Sequence, residues 1–216
     1  MKVKDLARRH ADYGLLERYW REVDLLYRGG QAIRDAATTF LLRRPMEPDP
    51  QYQARIDRFS YQNILSTALG WYSSALFAEV PKLFIQPSTP DYIQQLIDDA
   101  DRSGCKLVDL ARQWWLRAVL DGAVYVLMDL PQTDLDFRDR REQLAAGALD
   151  PFLVTFTAAE VINWSTDRFG AFEWLVIQTQ HSNADFGAEA RIIDRWYFFD
   201  RERFQIWESA QVKGET

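Results

Sequence analysis

Gly122–Pro131, GAVYVLMDLP, is the stretch on which the fold turns. A helix closes at Asp121-Gly122. Ala123–Met128 then runs without a polar residue, and Pro131 stops it. A short, wholly apolar run bounded by Gly and Pro predicts a strand buried on both faces. The chain before it has helical spacing, and the C-terminal third has the two-residue period of strands. The expectation is an α+β fold, a helical N-terminal half packed on a mainly antiparallel β-sheet.

Upstream, Asp12 can cap a helix whose apolar face holds Leu15, Leu16, Tyr19, Trp20, Val23, Leu26 and Tyr27. Glu17 and Arg21 stand four apart on another face. Gly29-Gly30 ends that helix, and a shorter piece over Gln31–Arg43 comes next. Arg44–Pro50, RPMEPDP, reads as a linker and divides the chain into an N-terminal helical segment, 1–48, and a helix-plus-sheet core, 49–216. Asp49-Pro50 starts a helix predicted to reach about Ala78, bent at Gly70 and closed by Pro81. Lys82–Gln86 reads as a short strand ended by Pro87.

Thr89-Pro90-Asp91 opens the next helix, with Tyr92, Ile93, Leu96, Ile97 and Ala100 on one face. Residues 105–121 form another, with Leu107, Val108, Ala111, Trp114, Trp115 and Ala118 inward. Asp134–Gly147 is a charged excursion. Phe152–Thr157 and Phe172–Ile177 read as strands of a hairpin turning at Ser165–Gly170. Arg191–Phe199 and Arg203–Trp207 are a second pair, joined at Asp200-Arg201-Glu202. The meander ends on an edge strand that other protein would cover, which suggests a fragment or a chain completed by another chain.

The chain has 216 residues, enough for one large domain or two small ones. Eight Trp and thirteen Phe exceed what one small core needs, so some are expected at an interface. One cysteine, Cys105, excludes an internal disulfide framework, and two histidines, His10 and His181, leave a zinc site short of its usual ligands. No apolar run nears the ~20 residues of a membrane span, and the N-terminus has no signal-peptide core. The expectation is a soluble, cytosolic protein without membrane contact. Residues 1–70 carry twelve Lys/Arg against nine Asp/Glu, whereas the remainder carries fourteen against twenty-three. Such acidity disfavours tight nucleic-acid binding through basic patches, and opposite signs on two halves would suit head-to-tail packing of copies.

Motifs for catalysis are missing. The sequence contains no GxxxxGK[ST], GxGxxG or GxSxG. Cys105 reads as packing and His181 as a surface loop residue. Asp121 and Asp129 flank the central strand, but eight extended residues span ~25 Å, too far for a shared site. Asp121 is expected to cap, and Asp129 to meet an arginine such as Arg168. Asp98, Asp99 and Asp101 lack calcium-loop spacing and read as a solvated helix face. No catalytic residue, metal or cofactor is assigned.

Four stretches carry a family resemblance. Tyr52–Ala68, YQARIDRFSYQNILSTA, Phe77–Pro87, FAEVPKLFIQP, Trp115–Pro131, with its DGAVYVLMDLP ending, and Glu160–Trp164, EVINW, resemble in order and spacing the N-terminal part of the portal proteins of tailed bacteriophages. The similarity covers roughly Tyr27–Trp207. It implies a wing-like region, with stem, clip and crown beyond this chain. It implies a structural virion protein, assembled in the host cytoplasm into a homo-oligomeric ring at one capsid vertex. Its partners would be identical subunits, the terminase packaging motor, capsid and head-completion proteins, and DNA passing without sequence-specific binding. Trp20, Trp114, Trp115, Asp129 and Trp164 are the structural or interface candidates. The alternative is a non-catalytic α+β interaction or adaptor domain of a mobile element. An enzyme using the carboxylates near the central strand is a third reading.

Overall fold

The computed structural model describes residues 3–86, 90–131, 133, 135–183 and 191–211. In chain order the elements are α1 (Val3–Leu6), α2 (Tyr13–Arg28), α3 (Gly30–Asp35), α4 (Ala37–Phe40), α5 (Asp49–Asp57), α6 (Ile64–Leu76), α7 (Asp91–Asp98), α8 (Leu107–Asp121), β1 (Val124–Asp129), α9 (Arg140–Ala145), β2 (Phe152–Thr157), β3 (Val161–Thr166), β4 (Phe172–Asn183), β5 (Arg191–Asp200) and β6 (Phe204–Gln211). The fold is α+β. Strands β1 and β2 pair with each other, and β3-β4-β5-β6 form a meander. The chain divides into two compact units. The first comprises Met1–Arg18, Ala123–Leu127 and Val154–Thr216, and the second Tyr19–Gly122 and Met128–Leu153. Residues 44–50 lie within the second.

In the second unit, α8 ends where the sequence says it should. Gly122 takes the left-handed conformation at φ +82°, and its N–H returns to the Ala118 carbonyl at 3.0 Å. A side chain is disfavoured at that φ, so Gly is the natural residue for this stop. Leu110 of α8 packs with Leu96 of α7, Ala100 and Leu153, and Cys105, Leu107 and Trp114 close around them. Ala100 fixes the neighbouring loop through its backbone: its N–H donates to Cys105 O, and its carbonyl accepts from Leu153 N–H, both at 2.7 Å.

Several helix boundaries differ from the periodicity. The helix expected over 50–78 is two, α5 and α6, because Asn63 starts a new one. Its Oδ1 accepts from Ser66 N–H at 2.9 Å, while its Nδ2 donates to Tyr27 O at 2.7 Å. An asparagine that caps an incoming turn competes with continuation of the outgoing helix. Gly29 explains the other side of this contact: with φ +60°, a Cβ there would stand 2.7 Å from Asn63 Nδ2. Helix α6 runs through Gly70 without a break. The piece expected over Gln31–Arg43 is split into α3 and α4 at Ala36. In α5 the cap position is Pro48, and Asp49 is already helical; α8 begins at Leu107. Lys82–Gln86 is no strand: it has no ladder partner among the described residues, and Leu83, Phe84 and Ile85 are exposed. Leu15, Leu16 and Tyr19 of α2 are also exposed, and Glu17 pairs with Arg9 at 2.8 Å. Pro87, Thr89, Asp134 and Val212 lie outside the described residues.

The doubly buried strand is not β1. Val126 and Met128 are 42% and 62% exposed, so β1 buries one face only. Among the described residues it pairs with β2 alone, outside the larger sheet. Burial on both faces belongs to β4 in the first unit, where adjacent Val176 and Ile177, pointing to opposite faces, are each 3% exposed. Phe156, Val161 and Ile177 form the core there, ringed by Tyr125, Leu127, Val154, Trp164, Leu175, Tyr197 and Phe199. The hairpin expected between Phe152–Thr157 and Phe172–Ile177 is corrected as well. Strand β3, lying between them in the chain, is the partner of β4, antiparallel from Val161↔Ile177 to Thr166↔Phe172. His181, expected in a loop, lies within β4 opposite Ile193. The β5–β6 pair matches its prediction.

Asp167 makes the β3–β4 turn. Its Oδ1 accepts from Phe169 and Ala171 N–H, and its Oδ2 meets Arg201 at 2.8 Å. The Phe169 N–H first, then those of Ala171 and the Arg201 guanidinium, hold its carboxyl below the usual range. Its stabilisation is therefore present above the unfolded value near ~3.9 and lost as pH falls through the depressed one. Asp167→Ala should lower the thermal midpoint at neutral pH, with the difference from the parent shrinking under strong acid. Phe156→Ala should cost about 3 to 5 kcal/mol in a denaturant titration followed by circular dichroism.

Candidate functional site

The ionisable residues singled out in the sequence do not converge. Asp129 Oδ1 accepts the N–H of Leu130 at 2.8 Å, and Arg168, its expected partner, instead lies 4.6 Å over the Phe169 ring. Asp101 Oδ1 accepts from Ser103 and Cys105 N–H, and Asp99 Oδ1 from Gly104 N–H. These carboxylates build a loop. The Ser103 bond first, with Cys105 and others behind it, holds the Asp101 carboxyl low. The Cys105 thiol is pushed up by burial and then by the Asp101 and Asp109 carboxylates, the reverse of what a nucleophile needs. Among the described residues no group of three or more His, Cys, Asp and Glu is gathered to hold a metal, and no helix is long and apolar enough to cross a membrane.

Among the described carboxylates of the second unit, Asp121 is the one whose pKa is raised. Its side chain is 8% exposed, and the nearest cation, Arg117, stands 3.9 Å away. Burial pushes its pKa up, Arg117 pulls it back, and the Asp24 carboxylate adds to the rise. The Asp121 backbone carbonyl accepts from Trp20 Nε1–H at 2.8 Å. Trp20 is 7% exposed, so its indole ties α2 to the end of α8 and leaves little surface for an outside partner. Trp114, Trp115 and Trp164 are half-buried. Trp114 belongs to the second unit's core, whereas Trp164 borders that of the first and stacks on His10, the rings 4.1 Å apart and 14° from parallel.

The surface that stands out carries no sequence motif. From Tyr61 to Ala78 no residue is charged. Helix α6, in the middle of this stretch, turns Leu69 and Ser73 inward, where Arg112 Nε of α8 donates to Ser73 Oγ at 3.1 Å. Its broad outer face presents Ile64, Trp71, Tyr72 and Leu76, each more than half exposed. The chain continues from that face into Val80, Leu83, Phe84 and Ile85, with Phe84 94% exposed. A helix on a protein surface ordinarily directs charge outward, and a contiguous apolar patch marks a contact with another molecule. The signal in the sequence is the absence of charge across eighteen residues, legible only once the outward face is known.

Compared with known proteins, the chain matches no protein-family model and no curated protein.

For Asp121 the raised pKa means stability that is fully present below the unfolded value and is lost as pH rises through the folded one. Asp121→Asn should therefore gain thermal stability relative to the parent as pH rises from about 4 to 7. A parent that is the more stable at neutral pH would mean that the Arg117 ion pair outweighs desolvation.

Proposed function

We propose that the chain is a non-catalytic structural subunit that joins copies of itself into a ring of the portal type, at the vertex through which a tailed bacteriophage packages and ejects its DNA. The observation that carries this reading is the uncharged, apolar outer face of α6 with the exposed segment after it. A subunit interface uses such a surface, and soluble monomers rarely expose a large contiguous apolar patch. The ordered resemblance of Tyr52–Ala68, Phe77–Pro87, Trp115–Pro131 and Glu160–Trp164 to portal proteins supplies the choice of ring. The carboxylates nearest the centre of the chain serve loops and helix ends. The packaging motor, capsid and head-completion proteins would be its further partners, and the virion its destination.

Light scattering at rising concentration, with negative-stain images, tests this. Closed rings with a central hole are expected. Leu76→Asp and Phe84→Asp should each shift the equilibrium towards monomer while leaving the circular dichroism melt unchanged, because both side chains are exposed in the subunit. Discrete complexes without rings would make the chain an interaction or adaptor domain. Monomer at the highest soluble concentration would sink the reading.

A further inference from the structure

Two stretches of the chain are left with unused capacity for strand pairing. The first is Lys82–Gln86, KLFIQ. Its composition suits a strand, yet its backbone pairs with no other among the described residues, and Leu83, Phe84 and Ile85 are exposed. The second is the outer edge of β6, which lies at one margin of the β3-β4-β5-β6 sheet. The inner edge of β6 is paired with β5 without a shift from Phe199↔Phe204 to Ile192↔Gln211, whereas its outer edge has no ladder among the described residues. The opposite margin is engaged, since His10 N–H donates to Ile162 O of β3 at 2.9 Å.

Folded proteins protect a sheet edge with proline, lysine, a bulge or a very short strand. Strand β6, FQIWESAQ, has eight residues, none of them Pro or Lys, and its pairing with β5 has no bulge. Such an edge accepts an added strand. Phe204 and Ile206 are exposed on the face that carries Phe199 and Tyr197, and Phe204 stacks on Phe199 with the rings 4.8 Å apart. Charge is complementary as well. Lys82 is the one charged residue of Val80–Gln86, and Glu208 the one charged residue of β6. Arg195 engages Glu208 Oε1 at 2.6 Å, and the second carboxylate oxygen has no partner among the described residues.

We propose that Lys82–Gln86 of one copy adds as an antiparallel strand to the outer edge of β6 of a second copy. One register satisfies both the charges and the apolar side chains. Lys82 opposite Glu208 brings Phe84 opposite Ile206 on the same face and Leu83 opposite Trp207 on the other. A parallel alignment that keeps Phe84 against Ile206 sets Lys82 against Phe204 instead. Five residues extend over ~17 Å, within the length of β6. Backbone hydrogen bonds hold the added strand, and Phe84 lengthens the row that Tyr197 and Ile206 already form. The segment and the edge are different surfaces, so the contact is heterologous. Each copy gives a strand to one neighbour and takes one from another, the head-to-tail geometry from which rings close. The inference rests on the reading that copies of the chain associate, and it names what the segment after α6 meets.

The test is disulfide trapping between two separately produced whole chains, one with a size tag, both carrying Cys105→Ser. Phe84→Cys on one chain and Ile206→Cys on the other should give a cross-linked pair under mild oxidation. Directly opposed residues of an antiparallel ladder stand ~4.5 to 5.5 Å apart, within reach of a disulfide. Ile85→Cys with Ile206→Cys should not link, since adjacent residues of a strand face opposite sides. Lys82→Glu beside Phe84→Cys should lower the yield several-fold. Positions 82, 84, 85 and 206 are exposed in the subunit, so these substitutions leave its fold intact. Equal linking of the two pairs, or linking of neither, would overturn the proposal. Closed rings without the 84–206 link would remove this contact and leave the ring reading standing. The link without closed rings would keep the contact and remove the ring.

Discussion

The first unit depends on a single reciprocal cap. The Glu160 carboxylate accepts from Thr157 N–H at 2.6 Å and from Thr157 Oγ1 at 2.8 Å, and the Thr157 side chain in turn caps the backbone of a one-turn 3-10 segment, Ala158–Glu160. This turn ends β2 and starts β3, so it sets where Val161 falls relative to Phe156, and both are core residues. Once β3 is placed, its register with β4 is fixed, and with it the remaining meander. Tyr13 adds a brace from the N-terminal segment, its hydroxyl donating to Ala159 O at 2.7 Å. Burial first, then the Glu17 carboxylate against the opposing Arg9, leaves the Tyr13 hydroxyl raised and so firmly protonated as a donor. The position of Trp164, packed on that core and stacked by His10, is a consequence of the same cap.

Much of this is readable from local chemistry. The Gly122 stop, the strand-rich C-terminal third and the Asp200–Glu202 turn each depend on residues within a few positions of one another. The failures share a different origin. Nothing near Asn63 in sequence says that Tyr27 offers it a carbonyl 36 residues away, so the break before α6 looks like helix. Strand β3 escapes notice because VINW has a polar residue where alternation alone cannot distinguish strand from loop, and a register shift between Val161 and Asn163 disturbs the period further. For β1 the apolar run overstates burial, because it shows only what a segment tolerates; what covers its second face is decided by other elements.

The interface candidates show the same limit. An aromatic side chain is equally at home in a core or at a contact, so counting Trp does not separate Trp20, hydrogen-bonded and buried, from Trp71, two-thirds exposed. Only the direction of each side chain makes that distinction. The informative feature is the charge pattern around them: Trp20 sits in a helix dense in Arg and Glu, and Trp71 in a stretch with none.

Charge itself then has a more modest meaning than its total suggests. Net −6 could be read as a field that keeps nucleic acid at a distance. Many of the carboxylates are instead committed to short-range work on backbone N–H groups: Asp99 and Asp101 in the loop before α8, Asp139 at the start of α9, Glu160 in its cap, Asp167 and Asp200 in the hairpin turns. Acidic side chains accumulate in a loop-rich fold because they are the best acceptors for N–H groups that no ladder satisfies. Part of the acidity is thus a by-product of how the chain turns. A long surface stretch left without any charge is not explained by turn chemistry, which is why the outer face of α6, with Ile64, Trp71, Tyr72 and Leu76 exposed, is the feature of the surface that stands apart.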